Sequence, residues 1–250
     1  MNSVTFGQTG LTVSRLCFGT AYLGPLGEKL TPEAGGELLA HAFELGVTFW
    51  DTSDDYGTHP HIAAALRRVP RERVVIASKT YEPKGTVKRA LHELGTDYLD
   101  VMLIHCVGLN WIEPARRALG ILERDKAQGL VRAVGFSTHS AEVCRRAAKW
   151  PEVEVLLAVV NPTGTWDQNE QIEDGTIADM LDALERAHAA GKGVYAMKVL
   201  GRGALASDPA QAIGFAARLP YVHSLCIGMR SLDEVRRNVS LLDRIAMEAL

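Results

Sequence analysis

Several features that mark large classes of protein are scarce or missing in this sequence. Cysteine occurs four times in 250 residues, at Cys17, Cys106, Cys144 and Cys226. None of the four shows the CxxC spacing of a zinc or iron–sulfur site. Three fall in strand-like runs and read as small core residues. His59 and His61, in "THPHI", have no second pair of ligands in view, so they suit a helix start or rim better than a metal. Positive charge is not in excess: the formal net charge is -3, and no run of Lys or Arg makes a local exception. A nucleic-acid surface is excluded on that ground. No stretch approaches the roughly 20 apolar residues that span a bilayer. The opening "MNSVTFGQTG" also lacks the basic-then-apolar order of a signal peptide. A cytoplasmic protein whose partners are small molecules is the expectation. Low-complexity tracts and linkers are missing too, so residues 1–250 are expected to form one domain.

Apolar sequence is abundant, at 47% of residues, enough for a large core. It is organised in eight runs of strand length: "RLCFGT", "VTFWDT", "RVVIASKT", "DVMLIHC", "VRAVGFST", "EVLLAVVN", "GVYAMKV" and "SLCIGM". Between them lie segments with apolar residues at helical spacing, such as "PEAGGELLAHAFELG" and "TIADMLDALERAHAAG", several ending at Gly. Continuous apolar strands alternating with helices predict a parallel sheet buried on both faces, and eight units suffice to close it. The predicted fold is therefore α/β, a (β/α)8 TIM barrel. An open doubly wound sheet would carry G-x-G-x-x-G after its first strand, which "RLCFGT" lacks, and the "GRG" at 201–203 is a lone pair of glycines. The first residues, "SVTFGQTGLTVSRL", read as a short N-terminal β-hairpin placed to plug the barrel bottom.

Barrel chemistry sits at the C-terminal ends of strands, so the polar residues that end these runs are the candidates. Asp51 closes the second run, Tyr56 follows in its loop, Lys79 closes "VVIASK" and His105 closes "DVMLIH". Each has a plain explanation alone: a turn cap, rim packing, a snorkelling lysine, a core histidine. Together, an acid, a phenol, an ammonium and an imidazole converge on one rim. An ammonium at Lys79, kept charged by Asp51, would lower the pKa of Tyr56 and bring it toward a useful range. That set suits carbonyl reduction, in which oxygen needs a proton while hydride reaches carbon. Asp54 and Asp55 read as solvated turn residues.

The sequence resembles the aldo-keto reductases over nearly its whole length, from "GQTGLTVSRLCFGT" through "FWDTSDDYG", "SKT", "YLDVMLIH", "GLVRAVGFSTHS" and "VNP" to "CIGMRSLDEVRRNV". The resemblance implies a catalytic tetrad of Asp51, Tyr56, Lys79 and His105, with Tyr56 as general acid. It implies NADP(H), or else NAD(H), bound by Thr20, Asp51, Ser137, Thr138, Lys198, Gly228, Arg230, Ser231 and Asn238. The substrate, a small carbonyl compound or alcohol, would meet Tyr56, His105 and Trp111, the last as a lid from "CVGLNWIEP". Four positions depart from the family pattern. Thr138 stands where many members have Asn, Met197 and Lys198 where many have Tyr-Ser, Leu157 where an amide is usual, and Glu234 where Arg or Gln often meets the adenosine phosphate. Ser231 and Glu234 also form the sequence pattern of a capping box. Two other functions use the same residues: a cofactor-independent lyase or isomerase, and a non-catalytic nucleotide sensor.

Overall fold

The computed structural model describes residues 1–167 and 170–248. Its strands are β1 (Ser3–Thr5), β2 (Thr12–Ser14), β3 (Leu16–Gly19), β4 (Phe49–Asp51), β5 (Val75–Thr80), β6 (Leu99–Ile104), β7 (Val131–Thr138), β8 (Val155–Val159), β9 (Thr165–Asp167), β10 (Glu170–Gln171), β11 (Gly193–Met197) and β12 (Ser224–Gly228). The helices are α1 (Pro32–Glu44), α2 (His59–Leu66), α3 (Thr86–Leu94), α4 (Ile112–Ala127), α5 (Ala141–Ala147), α6 (Ile177–Ala189), α7 (Pro209–Ala217) and α8 (Leu232–Glu248). Strands β3 to β8, then β11 and β12, pair in parallel and close into a barrel, β12 returning to β3. Each barrel strand is followed by one helix, which is the (β/α)8 architecture.

Local chemistry explains the elements. Thr31 caps α1, its hydroxyl accepting from Ala34 N with Pro32 in the first turn, and Thr176 forms a capping box with Asp179 at α6. Every residue of β4, β5, β6 and β8 is buried, as expected for strands covered on both faces. Their side chains alternate between two cores. Trp50, Ile76, Met102, Ile104 and Phe136 point out beneath the helices, while Phe49, Val75, Ala77, Val101, Leu103 and Tyr195 fill the barrel. The β1–β2 hairpin seals the bottom: Phe6, Leu11 and Val13 are buried in the inner core, and Phe6 meets the rings of Phe49 and Tyr195. Gly135 on β7 faces the Val155 backbone so closely that any side chain would collide with it.

Cys17 and Cys144 are buried, but Cys106 and Cys226 are only partly so; Cys106 occupies a left-handed turn after β6 and is not the core residue the sequence suggested. His59 and His61 begin α2. His59 pairs with Glu93 at 2.6 Å and meets Ser78, and His61 bonds the Leu30 carbonyl.

Candidate active site

The alternation that fills the barrel also carries polar groups to its mouth. Phe49 faces inward, so Asp51 two residues on does as well; Val75 and Ala77 place Lys79 on the same inner face. Lys79 Nζ donates to Asp51 Oδ1 at 2.5 Å and to the Thr52 carbonyl at 2.6 Å, with both side chains buried. Burial alone would lower the pKa of the ammonium. Asp51, Tyr56 and Cys226 outweigh that, and the Lys79 pKa is held above the ordinary lysine value. The second oxygen of Asp51, Oδ2, accepts from the Tyr195 hydroxyl at 2.9 Å. Burial and Asp51 keep that hydroxyl protonated by pushing its pKa well up. Tyr195 escaped the sequence reading because it sits mid-strand in an apolar run; its one polar atom, at an inward position, was the available signal.

Tyr56 lies in the loop before α2, with the Lys79 ammonium 4.9 Å from its ring centroid. The structure reverses the expectation that Lys79 would make this phenol acidic. Burial raises its pKa by more than Lys79 lowers it, and Asp51 adds to the rise, so the net displacement is upward. Tyr56 is accordingly a neutral phenol with a proton to give. His105 follows β6, stacked on Tyr81 at 4.7 Å and edge-on to Tyr56 at 5.8 Å. Its Nδ1 lies 3.2 Å from Ser53 Oγ and 3.6 Å from the Asp55 carboxylate. Ser53 donates its own hydrogen to the Lys79 carbonyl and a carboxylate can only accept, so the imidazole hydrogen is assigned to Nδ1. Burial, with Lys79, Lys198 and His139 adding to it, lowers the His105 pKa to about 2. The ring is neutral. Asp55 is an exposed turn residue that also lies beside His105, whereas Asp54 is less exposed and pairs with Arg89 at 3.3 Å.

The other expected site residues surround this cluster with distinct occupations. Thr20 Oγ1 donates to the Asp51 carbonyl at 3.0 Å and lies 2.8 Å from Thr58 Oγ1. Ser137 Oγ accepts from Cys106 N at 2.9 Å, and its own hydrogen has no acceptor among the described residues. Thr138 has spent its hydrogen on the Val107 carbonyl at 2.6 Å and also accepts from Ser140 N. It stitches two strand ends together. Gly228 lies under the Tyr22 ring, where a side chain would clash. Arg230 is exposed and held by Glu28 at 3.3 Å and Glu234 at 3.0 Å. Ser231 caps α8 by accepting from Glu234 N, but the Glu234 carboxylate takes Arg230 N instead of closing the box on Ser231. Leu157 fills the barrel interior and Met197 packs beside it, while Asn238 is half-buried on α8. Trp111 precedes α4 and packs on the outer core. The aromatic stacked at the mouth is Trp166 on β9, which rests on His139.

Residues 15–217 match the family model described as the Aldo/keto reductase family. The chain belongs to this family. A "Probable aldo-keto reductase 1" of Glycine max is 29% identical over 164 residues, covering 58% of this chain and 47% of that protein. The chain thus spans about half the length of that relative. An Escherichia coli "NADH-specific methylglyoxal reductase" is 23% identical over 226 residues, 74% of this aldo/keto reductase family member and 68% of that enzyme. A solved Pseudomonas aeruginosa protein assigned to the same family superposes with a TM-score of 0.79 at 25% identity, covering 98% and 95% of the two chains. These relatives and the closed barrel agree with the family match.

One residue in this site yields a prediction about Asp51. Tyr195→Phe removes the only donor to Oδ2 among the described residues and leaves that oxygen buried. Thermal or urea denaturation should show a loss of about 1–3 kcal/mol. An unchanged midpoint would mean that the hydrogen bond contributes nothing.

Proposed function

We propose that this protein is a NAD(P)H-dependent carbonyl reductase in which Tyr56 is the proton donor and Asp51, Lys79 and His105 complete the site. The observation that carries this reading is the contact of a neutral phenol at Tyr56 with a lysine kept charged by a buried aspartate. The nicotinamide cofactor, which supplies hydride when bound, fits the residues present. Ser137 keeps a buried, unspent hydroxyl hydrogen for its carboxamide, and Gly228 leaves the β12 end bare under Tyr22. Thr20, Ser231 and Asn238 complete the proposed cofactor surface, with Thr138 acting through the strand ends it joins.

In reduction, Tyr56 gives its hydroxyl proton to the carbonyl oxygen. The Lys79 ammonium then stabilises the phenolate left behind, and Asp51 fixes that ammonium in place by occupying one of its hydrogens. His105, neutral and wedged between Tyr81 and Tyr56, borders the substrate without competing for the proton.

The proposed adenosine end favours NADH over NADPH. Arg230 is shared between two carboxylates, so little positive field remains for a 2'-phosphate. Calorimetric titration with each cofactor is the direct experiment on this reading: NADH should bind, with carbonyl-dependent oxidation following. Binding of neither cofactor would overturn the reductase reading, and binding without turnover across a carbonyl panel would favour the nucleotide sensor. Removing one negative charge by Glu234→Gln should improve NADPH affinity relative to NADH about 5- to 10-fold, since a neighbouring charge near water is worth about 1 kcal/mol. An unchanged ratio would place the phosphate elsewhere.

A further inference from the structure

Among the described residues, four other than glycine adopt a left-handed backbone: Lys29, Cys106, Lys198 and Arg202. All four lie in the loops that follow barrel strands, the face that carries the site. Such positions cost free energy and persist where the surroundings over-determine them. At Lys198 the surroundings are explicit. Its carbonyl accepts from Asn161 Nδ2 at 2.9 Å, and the same fully buried amide donates to the Thr165 carbonyl at 2.6 Å. One side chain thus fixes both the strained lysine and the start of the β9 ribbon. Trp166, the next residue of that ribbon, stacks on His139 at 4.5 Å and 28°. The Lys198 ammonium lies 5.9 Å from the centre of the same indole ring, within range of a cation–π contact.

Two features of this arrangement are unspent. Among the described residues, Lys198 Nζ has no hydrogen-bond or ion-pair partner, unlike the neighbouring Arg202, which pairs with Asp167 at 2.7 Å. His139 is 7% exposed, and among the described residues its buried Nε2 has no partner. A half-buried cation and a buried imidazole nitrogen, both left open against one aromatic platform, call for an anion. His139 directly follows β7, whose end is bonded to the loop carrying His105 through Val107 N and the Ser137 carbonyl at 2.7 Å. The ammonium faces Trp166, in the segment after β8, while Arg230 and Ser231 follow β12, the strand on the opposite flank of β11.

We propose that Lys198, His139 and Trp166 form a subsite for a carboxylate carried by the carbonyl substrate. The ammonium supplies the charge, the imidazole Nε2–H a hydrogen bond, and the indole a flat wall. This rests on the reductase reading and narrows it to carbonyl compounds with an anionic tail. Lowering of the His105 pKa by both Lys198 and His139 agrees with their lying near the reacting carbonyl. Lys198 is then a substrate residue and not the cofactor contact the family resemblance implied.

The test compares 4-carboxybenzaldehyde with 4-methylbenzaldehyde on the full chain, as wild type, Lys198→Met and His139→Phe. Wild type should favour the carboxylated aldehyde in kcat/KM by about tenfold or more, the range of one hydrogen bond to a charged group. Lys198→Met should abolish that ratio through KM, His139→Phe should reduce it, and NADH affinity by calorimetry should stay within about twofold. Equal turnover of the two aldehydes by wild type would overturn the subsite. So would a fall in NADH affinity matching the loss of activity, which would return Lys198 to a cofactor phosphate. Binding of 4-carboxybenzyl alcohol against 4-methylbenzyl alcohol, also by calorimetry, separates the two levels. A carboxylate preference lost in Lys198→Met without turnover of either aldehyde sinks the reductase reading and keeps the anion site; no preference sinks the anion site itself.

Discussion

Tyr56→Phe is expected to lower kcat/KM for carbonyl reduction by about 10²- to 10⁴-fold, the usual worth of a positioned general acid. The size follows from what surrounds the phenol. No other group in contact with it can take over the proton. His105 is neutral, with its hydrogen assigned to Nδ1 beside Ser53 and Asp55; two of the three Lys79 protons are engaged by Asp51 and the Thr52 carbonyl, and the ammonium is held above the ordinary lysine pKa, so it does not give up a proton readily. Tyr56 is only half-buried and the substitution removes one oxygen, so the fold should survive. NADH affinity measured beside the kinetics should be nearly unchanged. A variant that keeps most of its activity would remove Tyr56 from the chemistry while leaving the barrel and family assignment untouched.

The largest expected change in stability comes from Lys79→Met. Asp51 and Lys79 are 3% and 1% exposed, so removing the cation strands a carboxylate in the barrel with only Tyr195 to bond it. Breaking a buried pair from one side costs about 3–5 kcal/mol. For a chain of this length that corresponds to a fall in Tm of roughly 6–20 °C. The combined change Asp51→Leu with Lys79→Met removes both charges and should recover part of the loss, because a well-packed apolar pair avoids the desolvation cost. Differential scanning calorimetry of the three proteins decides the matter. If the single variant melts with wild type, the pair is not desolvated as its burial indicates.

Much of the fold was legible because parallel barrel strands are buried on both faces and therefore read as unbroken apolar runs. All eight runs became barrel strands, and the "QTG" turn joins the two strands that close the bottom. The positions of Asp51, Lys79 and His105 at strand ends were legible for the same reason, since a charge that ends an apolar run stands at the mouth. Three things were not. Tyr195 contributes one oxygen from inside an apolar strand, and nothing in a linear reading says which carboxylate it meets. Trp166 belongs to β9, too short to announce itself by period, and reaches His139 only because Asn161 gathers Thr165 and Lys198. The direction of the Tyr56 displacement depends on a balance between burial and the opposed fields of Lys79 and Asp51, and only the depth of the site settles that balance.

Proton donation by Tyr56 is distinguished from donation by an imidazolium at the neighbouring His105 by the pH dependence of kcat/KM for reduction. A group whose pKa lies above its usual value stays protonated through neutrality and loses its proton only at high pH, as Tyr56 does. A histidine lowered to about 2 carries no titrating proton in the working range. Reduction should therefore hold level from about pH 6 to pH 9 and fall only above the ordinary tyrosine value of about 10. A decline through the usual histidine range near pH 6.5 would identify an imidazolium as the donor and contradict the role given to Tyr56.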